Sequence, residues 1–288
     1  MLRLQNYIQL TKPTIMLLVL FTGATALTLE GSLLASPFRF ALVMLGLYLA
    51  GGSANALNQC FEREIDSQMS RTKKRRPLPL NLLSVKESFI FSIGIGVAGV
   101  LLFTFAFNLL SGVLALATIL FYSLFYTLYL KPTTDQNIVI GGIAGAMGPI
   151  IGWAAASGTL TLTPVILFMI VFLWTPPHFW ALALFCQDDY RKIGMPMMPV
   201  VRGEAVTFRW IFIYTIAVIA MSLTLVFVGG GVVYALVALA LGAVFIKKVI
   251  DATKSRAESA ERGLFFYSMI YLFALFLAII VDGMGLIS

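Results

Sequence analysis

The chain has 288 residues, 60% of them hydrophobic and only 11% charged, with a mean hydropathy of +0.95. Such a composition excludes a soluble globular domain and describes a polytopic membrane protein. Lysine and arginine outnumber aspartate and glutamate by 20 to 13; without a nucleic-acid module, that excess is read as membrane topology, and no nucleic-acid partner is expected.

Residues 1–29 have the outline of a signal peptide, with Arg3 and Lys12, an apolar run and then Ala24-Thr25-Ala26. The basic segment is long, however, and Lys12-Pro13 reads as a helix start, so cleavage is not expected. Apolar runs predict nine spans, at about 14–29, 40–61, 88–107, 110–130, 138–157, 163–185, 210–228, 230–246 and 264–286. Of the 20 lysines and arginines, 19 fall at alternate ends of these spans and only Arg39 falls on the other side. The positive-inside rule then places the N-terminus in the cytoplasm and the C-terminus outside, with the chemistry at the inner face. The two cysteines, Cys60 and Cys186, give no disulfide framework. Nothing resembles a soluble second domain, so 1–288 is expected to be a single domain. Spans 2 and 6 both end in acidic residues followed by basic residues and proline, which suggests two parallel four-helix units plus a final helix.

Asn58 to Pro79 organises the chain. Asn58, Glu62 and Asp66 are spaced four apart, so a helix puts all three on one face along about 12 Å. Oxygen donors in that pattern suit a hard cation such as Mg²⁺, which keeps positions for phosphate oxygens. Arg71, Lys73, Lys74, Arg75 and Arg76 follow and could take up phosphate charge, or could simply fix topology. Three polar groups on one face at the end of a membrane helix favour a metal–diphosphate site over a solvated loop.

On span 4, Tyr122 and Tyr126 share a face; their π faces could stabilise a cation, or they could belong to an interfacial belt, the better reading for Tyr129. The small residues from Gly141 to Gly148 on span 5 are read as close helix packing rather than ligand contact. On span 6, Pro176-Pro177 should kink or break the helix. The only histidine, His178, comes next; structural bonding and ligand contact are both open for it. Asp188 and Asp189 follow, and either supply more metal–diphosphate ligands or are helix-end charges.

The pattern N-x₃-E-x₃-D with Arg71-Thr72 and Arg76-Pro77-Leu78-Pro79 resembles the UbiA superfamily of intramembrane prenyltransferases. Glu62-Arg63-Glu64-Ile65-Asp66, the run from Gln136 to Gly142, Thr11-Lys12-Pro13 and above all WTPPHFWALAL at 174–184 are similar to its protohaem IX farnesyltransferase (haem O synthase) branch. The resemblance covers nearly the whole chain. It implies an all-α integral membrane bundle of nine helices with a cytoplasm-facing cavity. The implied reaction is Mg²⁺-dependent transfer of the farnesyl group of farnesyl diphosphate to a vinyl group of haem B, with addition of water, to give haem O.

In that reading Asn58, Glu62, Asp66, Asp188 and Asp189 are the catalytic metal ligands. Lys12, Arg71, Arg75, Arg76 and Lys131 face the diphosphate, Tyr122 and Tyr126 line the cation pocket, and His178 contacts haem. The family's spacing has one residue fewer between Thr72 and Pro77, which leaves Arg75 and Arg76 as alternatives for one role. Asp188 and Asp189 are adjacent where other members space their acids four apart. With no cleavable signal expected, a bacterial inner membrane is the simplest setting, a mitochondrial inner membrane being the alternative if a transit peptide has been removed. The resemblance implies a transient contact to haem A synthase or terminal-oxidase assembly. The competing readings are a prenyltransferase acting on an aromatic quinone precursor, which does not need His178, and a cation transporter. Intramembrane charge is nearly absent from the outer half, which disfavours transport.

Overall fold

The computed structural model describes residues 2–283, and every regular element among them is helical. Nine helices among the described residues are long and apolar enough to cross a membrane: α1 (Pro13–Glu30), α2 (Pro37–Phe61), α3 (Val85–Ala106), α4 (Leu109–Thr133), α5 (Asn137–Ser157), α6 (Leu162–Phe185), α7 (Glu204–Val228), α8 (Val232–Ser255) and α9 (Glu258–Gly283). Every expected span is present, with 284–286 of the last lying outside the described residues. The largest extensions are at the end of α8 and the starts of α7 and α9, where Arg209, Lys247, Lys248, Lys254 and Arg262 ride on helix instead of in loops. Long cationic side chains permit this, because their stems lie along apolar surface while their heads reach water.

The helix ends follow local chemistry. Pro13 and Pro37 occupy first turns, where a missing N–H costs nothing. The Ser84 hydroxyl accepts the Glu87 N–H at the start of α3, and the Asn108 side chain accepts that of Ser111 at the start of α4.

The pattern on α3 is inverted relative to a soluble helix. Ser88, Ser92, Gly96, Gly99 and Phe103 face inward, while Ile90, Ile93, Val97, Leu101 and Phe105 are exposed. In water that apolar stripe would be an aggregation surface; in a bilayer it meets lipid tails, and the small residues let α2 come close. A Cβ on Gly99 would stand 3.0 Å from the Ala50 nitrogen, and the Ser53 hydroxyl donates to the Ser92 carbonyl at 2.7 Å. The small residues of α5 pack similarly. A Cβ on Gly148 would lie 2.8 Å from the Val19 carbonyl oxygen, and one on Gly142 3.2 Å from Thr175.

The proline pair does not break α6, which runs unbroken from Leu162 to Phe185. Proline's fixed φ is itself helical, and a membrane helix packed by its neighbours tolerates the missing donors better than an isolated one. Trp174, Thr175, Pro176, Pro177 and His178 are all buried.

The chain divides into two compact units. One holds the described residues up to Thr133 together with Met147–Leu160; the other holds Thr134–Ala146 and the described residues from Thr161 onward. α1 to α4 belong to the first and α6 to α9 to the second, with α5 contributing to each.

Candidate active site

The polar row on the first unit is buried. Asn58, Glu62 and Asp66 are exposed by only 1%, 3% and 2%. α2 ends at Phe61 and a short helix resumes at Arg63–Gln68. The four-residue bonding continues across that seam, from Glu62 N to Asn58 O and from Asp66 N to Glu62 O. The three side chains therefore stay aligned even though two helices carry them.

Each member of the row meets a cation. The Lys12 ammonium donates to Asn58 Oδ1 at 2.6 Å. Lys131 pairs with Glu62, and Arg76 pairs with Asp66, with a second contact to Glu62 at 3.9 Å. Three cations thus face two carboxylates inside the protein. Burial drives the Lys12 ammonium well below the usual lysine range, and the nearby charges of Arg76 and Lys131 push the same way, against the pull of Glu62 and Asp66. Burial alone would raise the Glu62 carboxyl; Lys131, Lys12 and Arg76 outweigh it and hold that group below its ordinary value. An anion added to this cluster would restore the charge on Lys12 that burial disfavours.

Local structure explains how the cations arrive. Lys12 has a left-handed backbone (φ 53°) between the Leu2–Leu10 helix and α1, a conformation costing about 1–2 kcal/mol for a non-glycine residue. Side chains of α2 clamp the turn: Gln59 donates to the Leu10 carbonyl at 2.8 Å, and Tyr48 shares a hydrogen bond with Thr11 at 2.8 Å. Arg76 is brought round by Thr72, whose hydroxyl donates to the Asp66 carbonyl at 2.8 Å and whose own carbonyl accepts the Arg76 N–H at 3.0 Å. Arg76 therefore faces the row, whereas Arg71 and Arg75 are exposed.

Lys131 ends a π-helical stretch of α4 (Phe121–Leu130) in which the backbone bonds reach one residue further than in an α-helix. On this stretch Thr127 accepts the Asn58 amide N–H at 3.0 Å and donates its hydroxyl to the Tyr122 carbonyl at 2.7 Å. Asn58 thus turns its oxygen toward Lys12. Tyr122 and Tyr126 stack at 5.1 Å on the same stretch, and Tyr129 is exposed. Thr127 and Gln59 were not apparent from sequence; a polar residue four before Lys131 was the available signal for Thr127.

Asp188, Asp189 and His178 belong to the second unit. The Asp188 side chain is 84% exposed and pairs with Arg191 at 3.0 Å. It lines a polar cavity of about 230 Å³ with Glu204, Arg256, Glu258 and Glu261. Asp189 follows it on the short helix Gln187–Lys192 and is half-buried. The His178 ring is stacked between Trp174 and Phe265, at 4.4 and 4.5 Å, and its Nδ1 lies 2.7 Å from the Ser268 hydroxyl.

Among the described residues no three histidine, cysteine, aspartate or glutamate side chains converge as a metal cage. The row offers instead two carboxylates and one amide oxygen, a hard and incomplete donor set. That composition fits Mg²⁺, which takes a few protein oxygens and completes its shell with water and phosphate.

Residues 19–278 match the UbiA prenyltransferase family. The chain belongs to that family. Relatives include the protohaem IX farnesyltransferase of Nostoc sp. (strain PCC 7120), 44% identical over 98% of this chain and 90% of that protein. The protein of the same name from Erythrobacter litoralis is 46% identical over 96% and 92%. Among solved structures, digeranylgeranylglyceryl phosphate synthase superposes with a TM-score of 0.81 at 18% identity, over 99% of this chain and 100% of that one. A UbiA homologue from Archaeoglobus fulgidus, bound to DMAPP and Mg²⁺, gives 0.69 at 15% identity over 95% and 99%. The nine spans and the family together make this a multi-pass membrane prenyltransferase.

Proposed function

We propose that the protein transfers the farnesyl group of farnesyl diphosphate to a vinyl group of haem B, with addition of water, to give haem O. The observation that carries this reading is the buried row in which three cations face two carboxylates, in a chain 44% identical to a protohaem IX farnesyltransferase. A diphosphate supplies the negative charge the cluster lacks.

Asn58, Glu62 and Asp66 would hold Mg²⁺, which when bound neutralises the departing diphosphate. Asp188 and Asp189 are proposed as further metal ligands on the chemistry of their carboxylates. Lys12, Arg76 and Lys131 bind the diphosphate, Arg71 reaches it from the surface, and Arg76 rather than Arg75 fills the role for which the two are alternatives. Cleavage of the allylic C–O bond leaves a farnesyl cation, whose charge the π faces of Tyr122 and Tyr126 stabilise. The vinyl group attacks that cation, and water captures the new cation beside the porphyrin, losing a proton to leave a hydroxyl. His178 contacts the haem. The whole of 1–288 works as one prenyltransferase domain, with N-terminus and row at the cytoplasmic face of a bacterial inner membrane. Its product passes by transient contact to haem A synthase or terminal-oxidase assembly.

The test supplies purified protein in lipid with haem B, farnesyl diphosphate and Mg²⁺, and reads product mass. A hydroxyethylfarnesyl haem from wild type, absent with Asp66→Ala, is expected. Prenylation of an aromatic acid with no reaction of haem would replace this reading by a quinone-precursor prenyltransferase.

A further inference from the structure

His178 is the only histidine in the chain, and its surroundings decide which of its nitrogens carries the proton. The Ser268 hydroxyl has one proton and lies 2.6 Å from the Phe265 carbonyl, to which it donates. Toward His178 Nδ1, at 2.7 Å, it therefore presents a lone pair. Two acceptors do not face each other at that distance, so a Ser268 proton given to Phe265 calls for the ring hydrogen on Nδ1. A neutral imidazole then has a bare Nε2; the ring's other hydrogen-bond neighbour, the Phe265 carbonyl, is an acceptor as well. The seat is rigid: Trp174 and Phe265 sandwich the ring at 4.4 and 4.5 Å, and the Trp174 indole N–H donates to the Ser268 carbonyl at 2.7 Å. α6 and α9 thus lock both the plane and the tautomer of one imidazole.

We propose that Ser268 is a positioning residue that holds His178 as its Nδ1–H tautomer, so that Nε2 offers its lone pair to the iron of the porphyrin substrate. This rests on the haem-farnesylation reading. Haem iron takes neutral imidazole as an axial ligand, and a ligating histidine ordinarily donates its other N–H to a fixed acceptor. Serine at 268 is such an acceptor because its own proton is committed to Phe265.

The experiment uses full-length protein in nanodiscs with ¹⁵N-labelled histidine, where a single imidazole gives an unambiguous spectrum. Without haem, wild type should show one-bond N–H coupling at Nδ1 and a bare Nε2. Ser268→Ala should lose that single tautomer, and Ser268→Thr should restore it. Haem B added without farnesyl diphosphate should give a histidine-ligated absorption spectrum that His178→Ala abolishes. Ser268→Ala should weaken haem affinity by about tenfold. A proton on Nε2 in wild type, or a Ser268→Ala imidazole spectrum identical to wild type, overturns the proposal. Haem product without histidine ligation also overturns it but leaves farnesyl transfer standing. Failure of wild type either to bind or to farnesylate haem removes both.

Discussion

Asp66 and Asp188 each follow an apolar span by a few residues, and each precedes basic residues and a proline. In the folded chain their surroundings are opposite. Asp66 is buried and pairs with Arg76, a side chain itself only 18% exposed; Asp188 projects from the surface toward Arg191 one turn away. The Coulomb attraction within the pair is several times larger in the first setting, where water does not screen it, and there burial also strips both groups of hydration. An acidic cluster near the end of a span is therefore not by itself an electrostatic site. It becomes one when neighbouring segments, here the Lys12 turn, the Thr72 fold and the π-helical end of α4, bring cations to it out of water.

The sharpest way to break the contrast is Asp66→Ala, which strands Arg76 and removes an oxygen donor. Product formation should fall by at least about 10²–10³-fold, measured by product mass in single-turnover reactions. Next is the Glu62–Lys131 pair. Glu62→Gln and Lys131→Met should each destabilise the fold, while the double variant should recover a coupling of about 1–3 kcal/mol without recovering activity. Thermal unfolding in matched lipid reads the first part and product mass the second.

A smaller effect is the dependence on pH. Because the Glu62 carboxyl is held below its ordinary value, its contribution is fully present above the unfolded-state pKa of about 4.3. It is lost as pH falls through the lowered native value. The unfolding midpoint should drop on acidification through that window, and Glu62→Gln should make the slope shallower. Smallest is Asp188→Ala, which should change stability by less than about 0.5 kcal/mol. A large loss of activity at unchanged stability would mark it as a ligand contact.

Much of this was legible in the sequence for reasons of length and period. Nine apolar runs of membrane length can hardly be anything but spans, and the four-residue spacing of Asn58, Glu62 and Asp66 survives a helix seam because the i→i−4 bonds cross it. What was not legible depends on tertiary paths. Arg75 and Arg76 are equivalent in a linear reading; the Thr72 side chain, bonded back to the Asp66 carbonyl, separates them. The proline pair read as a kink or a break in α6; the packed helix continues through it without a break. Ser268 is an ordinary small residue in an apolar span until the fold sets it against His178.

The most direct test of the account is farnesyl diphosphate binding, with Mg²⁺, to protein in nanodiscs for wild type, Arg75→Ala and Arg76→Ala. Titration calorimetry should show affinity reduced by at least about tenfold in Arg76→Ala, a loss on the order of 1.4 kcal/mol, and within about twofold of wild type in Arg75→Ala. Equal effects of the two variants, or a larger one at Arg75, would contradict the claim that the buried cluster is the diphosphate site.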